Sequence, residues 1–355
     1  MRRYLLAIVF FASLLPAKGQ DDLHHYLDTH HYSFSLDSGF TGAIADTLRS
    51  KLAGYRLILE AEGGSHYLSI YHKLELDWLL YLHRSMGLTH FVMEAGTSNS
   101  VLINKYLETG DSSAHLVRRT AFFDGLYRYN SGLPEDRRLK MTGIDFERAS
   151  TYVRAIKLLL PAGNPPESIA PAIGLIRETP DSGNDCDAVL RLNKKLHESL
   201  KTNRAAFQNY LGSEFIEFDQ IVNNNGSCKD PLRNRNDHMA ENFLAFDART
   251  NAPVYFGEFG EAHTVLKNRN LASIVNRTEP FKGKVAVINL YCQDCSTPEE
   301  PVSNWPLQSI EPAILRSFLP FCVGDFTLFD LSAPDPVIAP YREYGQFLIV
   351  ARKQH

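Results

Sequence analysis

Four short apolar runs in this 355-residue chain lead into ionisable side chains. Tyr55 to Leu59 runs on to Glu62 and, past a Gly63-Gly64-Ser65 turn, to His66. His90 to Met93 ends on Glu94, and Lys140 to Ile144 ends on Asp145. Pro253 to Phe256 passes a glycine-rich turn to reach His263. Histidine titrates near neutral pH, so His66 on its turn can act as a general base toward water. A carboxylate beside it, Glu62 or Glu94, would fix its tautomer and raise its basicity. A carboxylate closing an apolar run must be hydrated, paired or functional, because burying it unpaired is costly. That argument covers Glu94 and, in a plainer context, Asp145.

The densest polar cluster is Arg233 to Asn242. On a helix, Arg235, His238 or Met239, and Asn242 share a face. An arginine turned to a pocket can clamp a carboxylate or stabilise an oxyanion with its fixed fork of donors; a solvated helix face reads equally well from such a run. His263 fits a second acid/base or an electrophile opposite His66. Glu62, His66, Glu94 and His263 together could also ligate a divalent metal. No Gly-x-Ser-x-Gly elbow and no phosphate-binding glycine loop occurs, which argues against a standard serine hydrolase or a nucleotide enzyme.

These residues need elements to hold them. Short β-branched or aromatic runs alternate with helix-like stretches, which predicts an α/β fold: a largely parallel open sheet flanked by helices. Parallel strands turn their carboxyl ends to one crevice, where ligands bind. Ile70, Leu74, Trp78 and Leu82 fall near helical spacing and predict a helix closed by Gly87; a second, from about Ser98 to Leu107, ends before Gly110. Residues 149–248 show no strand and read as an inserted helical subdomain, with helices over 150–160, 187–212 and 234–248. Strands resume at 253–259, 284–291, 325–330 and 345–352.

Arg2-Arg3, an apolar run from Tyr4 to Leu15 and small residues at Ala17 and Gly19 predict a signal peptide over 1–19 and a secreted or periplasmic domain over 20–355. No later stretch is apolar enough to span a membrane. The net charge is −4, with no basic stripe, which argues against nucleic acid as a partner. Export would permit disulfides among the five cysteines. Cys186 with Cys228 is the expected pair, and Cys292-x-x-Cys295 reads as a local disulfide or two loop thiols. The pairs His24-His25 and His30-His31 suggest a metal tract or an exposed segment.

Taken in order, Glu62 to His66, the strand ending on Glu94, Gly143-Ile144-Asp145, Arg235-x3-Met239-Ala240-Glu241-Asn242 and Gly260-x-x-His263 resemble the erythromycin esterase-like family. That family is grouped with TraB-type and haem-binding ChaN-type proteins, and the likeness spans roughly residues 50 to 350. It implies a hydrolase that opens a small-molecule ester or lactone with no cofactor. His66 would activate water, Glu62 and Glu94 would flank it, and Arg235 and His263 would complete the site. The chain departs from the family at Ala61, with one extra residue before His66. Gly260 replaces the first histidine of His-Asn-x-His, and Asn236 replaces the usual acid after the arginine. Two other readings follow: a metal-dependent TraB-like protease or amidase with Glu62, His66, Glu94 and His263 as ligands, or a binding protein with a degenerate pocket.

Overall fold

The computed structural model describes residues 17–36, 39–63, 69–112, 120–181, 183–224, 234–293 and 312–352. Its strands are β1 (His31–Phe34), β2 (Leu57–Glu62), β3 (His90–Gly96), β4 (Lys140–Asp145), β5 (Tyr255–Gly260), β6 (Val285–Gln293), β7 (Phe326–Asp330) and β8 (Phe347–Arg352). They form one eight-stranded sheet in the order β1-β7-β8-β6-β2-β5-β3-β4. The β1–β7 and β7–β8 pairs are antiparallel and the other pairings are parallel. The expected α/β architecture is thus observed, with an antiparallel edge.

Strand β2 is buried at every residue, which explains its near-continuous apolar run: a parallel strand covered on both faces has no side to leave polar. On one face Ile58, Phe91, Phe256 and Ile288 pack with Leu48 and Leu52 of α2 (Gly42–Leu52) and with Leu74, Trp78 and Leu82 of α3 (Ser69–Met86). On the other, Leu57, Leu59, Tyr255 and Val287 meet Met239 and Phe243 of α10 (Arg235–Thr250) and Val275 of α12 (Leu271–Asn276). Gly87 follows α3 and Gly110 follows α4 (Thr97–Thr109), both left-handed at φ 72°. Gly110 donates its N–H back to the Tyr106 carbonyl at 2.7 Å, so each glycine sits where a helix must stop.

Between β4 and β5 the described residues form helices joined by loops, with no strand. Helices α6 (Ala149–Leu158), α7 (Ala170–Glu178), α8 (Cys186–Leu211) and α9 (Phe215–Asn223) build a separate core of Tyr152, Ile156, Ile173, Leu196, Phe207 and Phe218, closed by Val101 and Leu102 of α4. The last helix, α10, leaves that core and lies on the sheet. The insertion therefore rests on α4 at one end and delivers α10 to the strand ends at the other.

Several expectations change. The lead-in holds structure that its polar composition concealed: α1 (Ala17–Thr29) and β1, paired in register with β7 from His31↔Phe329 to Phe34↔Phe326. The histidines there serve α1 locally. His30 Nδ1 lies 3.0 Å from the Tyr26 carbonyl and His31 Nδ1 2.8 Å from the Leu27 carbonyl. A carbonyl only accepts, so both rings donate from Nδ1 to the last turn of the helix. The expectation of disulfides is corrected as well. Among the described residues no disulfide joins two cysteines: Cys228 and Cys295, the expected partners of Cys186 and Cys292, lie outside them, although neither Cys186 nor Cys292 is a free thiol. Cys322 is a free thiol, buried against α1 and β7. Residues 1–16 of the expected leader also lie outside the described residues. No helix among those described is long and apolar enough to cross a membrane.

Candidate active site

Strand β5 enters the sheet between β2 and β3, and that placement assembles the site. Gly260, its last residue, stands in register with Glu62 at the end of β2, and its N–H donates to Glu94 Oε2 at 2.8 Å. Glu62 and Glu94 thus flank one glycine from two neighbouring strands. Immediately after Gly260, the short helix α11 (Glu261–Thr264) carries His263.

The ends of β3 and β4 approach unusually closely. The β3–β4 register shifts between Met93 and Gly96, so that Gly96 rather than Ala95 stands opposite Asp145. A Cβ on Gly143 would overlap the Gly96 carbonyl, and one on Gly96 would lie 2.6 Å from Glu147 Oε2. The irregularity turns Glu94 and Asp145 toward the same arginine.

That arginine is Arg235, the first residue of α10. Its Nε lies 3.1 and 3.2 Å from the two Asp145 oxygens, and its Nη2 donates to Asp145 Oδ2 at 2.5 Å and Glu94 Oε1 at 2.7 Å. Its Nη1 lies 3.3 Å from His263 Nε2, which in turn is 3.4 Å from Glu94 Oε1. Phe146 supplies an aromatic face 5.5 Å from the guanidinium carbon. Asp145 is 1% exposed, and the cation between it and Glu94 is the guanidinium itself. Burial alone would push the Glu94 carboxyl up, but the His263 ring in its charged form, Arg235 and the Gly260 N–H outweigh it and hold the group down, at about 2. Glu94 is therefore ionised across the physiological range.

A second layer fixes these groups. Asn224, the residue that caps α9, donates from Nδ2 to the Asp145 carbonyl and to Glu147 Oε1, each at 2.7 Å. Its Oδ1 accepts from Asn242 Nδ2 at 2.8 Å and faces His238 Nε2 at 2.6 Å. Glu147 accepts the first backbone N–H groups of α4, from Thr97 at 2.8 Å and Ser98 at 2.9 Å. Burial drives the Glu147 carboxyl up to about 7 against those hydrogen bonds. The shared helix face read from the sequence thus divides: Met239 enters the core, while His238 and Asn242 meet Asn224.

Of the residues singled out in the sequence, Glu94, Asp145, Arg235 and His263 come together; Glu62 is buried at the end of β2, in register with Gly260, on the face that carries α3. His66 lies outside the described residues. Among those described, no group of three or more His, Cys, Asp and Glu is arranged to hold a metal ion. The sequence reading missed Glu147 and Asn224, and also Glu60 and Glu258. The last two are buried and stand in register on β2 and β5, on the face that carries α3. The alternation Ile58, Glu60, Glu62 was the available signal, since residues two apart share a face.

No protein-family model matches the chain, and no curated protein matches it. Solved structures do. One is a Bacillus cereus protein, 14% identical, with a TM-score of 0.66 over 94% of this chain and 97% of that one. Another is a succinoglycan biosynthesis protein, 11% identical, with a TM-score of 0.65 over 95% and 98%. A third is an erythromycin esterase variant in its open conformation, 12% identical, with a TM-score of 0.59 over 86% and 92%. What they share with this chain is the fold.

Proposed function

We propose that this chain is an exported hydrolase of carboxylic esters or lactones, in which water attacks the carbonyl carbon with help from histidine. One observation carries the reading: Arg235 forks between Glu94 and Asp145 beside His263, at the carboxyl ends of parallel strands. The fold likeness to an erythromycin esterase supports the same reaction class.

The guanidinium has five N–H groups, and one on Nη1 has no acceptor among the described residues. That N–H is assigned to the substrate carbonyl oxygen, where negative charge grows as water adds. His263 does not share this role, because its Nε2 accepts from Arg235 and a lone pair repels an oxyanion. It steadies Arg235 instead, accepting from Nη1 and so aiming the other Nη1 N–H at the carbonyl. His66, which follows β2 in the sequence, takes the water proton while the new C–O bond forms. The tetrahedral intermediate then collapses, the ester C–O bond breaks, and the proton passes to the departing alkoxide, which leaves as the alcohol. Glu62 orients the histidine, and Glu94 holds Arg235.

The test is hydrolysis of a panel of simple esters and lactones by the purified protein beside His66→Ala. A placed general base supplies about 10²–10⁴-fold of rate, so the variant should lose at least a hundredfold. Equal rates in both proteins would remove His66 from the mechanism. No hydrolysis by either would leave a ligand-binding protein. Loss of activity to a chelator would replace this mechanism with the metal-dependent one.

A further inference from the structure

We propose that Asn236 is a positioning residue that locks His263 in one neutral tautomer, with the proton on Nδ1 and the lone pair on Nε2. The inference rests on the reading above, in which His263 Nε2 accepts from Arg235 and so aims its free N–H at the substrate carbonyl.

The assignment follows from two one-way donors on opposite sides of the ring. Asn236 is the second residue of α10, and its Oδ1 lies 2.7 Å from His263 Nδ1 and 3.2 Å from the Leu271 backbone nitrogen at the start of α12. A backbone N–H can only donate, so the side-chain atom facing it is the amide oxygen. An amide oxygen cannot donate, so His263 Nδ1 must carry the hydrogen. On the far side, Arg235 Nη1 stands 3.3 Å from Nε2. A guanidinium has no acceptor, so Nε2 presents its lone pair. The opposite tautomer would bring an Nε2–H to Glu94 Oε1 at 3.4 Å, but it would set that N–H against the closer arginine N–H and turn the Nδ1 lone pair on the Asn236 oxygen.

The amide matters as much as the geometry. A carboxylate at this position would hold the ring in the same orientation, yet it would add a negative charge that favours the imidazolium. Asn236 holds the ring without that charge, so Nε2 keeps its lone pair for Arg235 while Glu94 remains the anion nearest it, at 3.4 Å. This gives the departure from the family's acid at residue 236 a chemical meaning. Asn236 also joins α10, α11 and α12, so a role in stability alone is the competing account.

The experiment reads the tautomer directly. In ¹⁵N-histidine-labelled full-length protein above the imidazole titration range, a long-range ¹H–¹⁵N correlation separates the two ring nitrogens. Loss of a signal set in His263→Gln assigns it. Wild type should show a pyrrole-like Nδ1 and a pyridine-like Nε2, and Asn236→Asp should keep that pattern above the titration range while its hydrolysis falls near neutral pH and recovers as the pH rises. Asn236→Ala should lose the preference and drop about tenfold to a hundredfold in rate. A wild-type ring protonated on Nε2 would overturn the proposal, and this reading needs no variant to fold. An alanine variant with unchanged pattern and rate would overturn it too. The stated tautomer in a protein that hydrolyses no ester would keep the lock and sink only the hydrolase reading.

Discussion

Arg235 begins α10, where the helix dipole disfavours a cation. It is held there by Asp145 and Glu94, whose oxygens lie between 2.5 and 3.2 Å from its nitrogens. Its replacement should therefore be felt twice. Arg235→Met leaves two carboxylates short of their cation, Asp145 fully buried, and removing one partner of a buried pair costs about 3–5 kcal/mol. Denaturant unfolding would measure this; a loss below about 1 kcal/mol would mean the pair is not buried as described. Arg235→Lys keeps the charge but has no fork to span both acids, so hydrolysis should fall at least about tenfold with a smaller effect on stability. The sequence exposed the residue types here but not the pairing. Arg235 is separated from Asp145 by 90 residues and from Glu94 by 141.

At the scale of elements, the site depends on how β3 and β4 end. The register shift after Met93 brings Glu94 and Asp145 to one arginine, and the missing side chain of Gly143 allows it. Gly143→Ala puts a Cβ against backbone on the neighbouring strand, which cannot move aside as a side-chain tip can. The cost should be about 1–3 kcal/mol or more, read as a lower Tm, with site activity falling alongside. An unchanged Tm would show that the strand ends have room to part. The sequence marked Gly143 only as part of a strand motif, because a close approach between strands is a property of two segments. The short β1 escaped notice for a related reason. Its His31-Tyr32-Ser33-Phe34 carries little apolar signal and becomes a strand by pairing with β7.

For the whole molecule, two acids, the half-buried Glu94 and the buried Glu147, shape stability against pH in opposite directions. Glu94 falls from its ordinary 4.5 to about 2 on folding, so its contribution is present above 4.5 and fades as pH drops through 2. Glu147 rises from 4.5 to about 7, so its contribution is full below 4.5 and fades as pH climbs through 7. In Glu147→Gln the neutral amide does not titrate. The variant loses a constant amount for the Ser98 N–H it cannot accept with a nitrogen, and the decline between pH 4.5 and 7 should flatten. Unfolding free energies at pH 5, 6 and 7.5 would decide it; a variant that declines as steeply as wild type would take Glu147 out of the linkage.

Legible along the chain alone were the α/β class, the apolar runs that end on Glu62, Glu94 and Asp145 or lead to His263, the helix stops at Gly87 and Gly110, and the helical stretch between β4 and β5. Each of these is written in local periodicity, in the burial of both faces of a parallel strand, or in the backbone freedom of glycine. Only the tertiary structure decided that β5 lies between β2 and β3, which puts Gly260 beside both Glu62 and Glu94. It alone revealed Asn224 and Glu147 behind the site and set His263 between Asn236 and Arg235. Hydrogen bonds between such distant residues carry no periodicity along the chain. They become legible only once strand order and register have set which side chains meet.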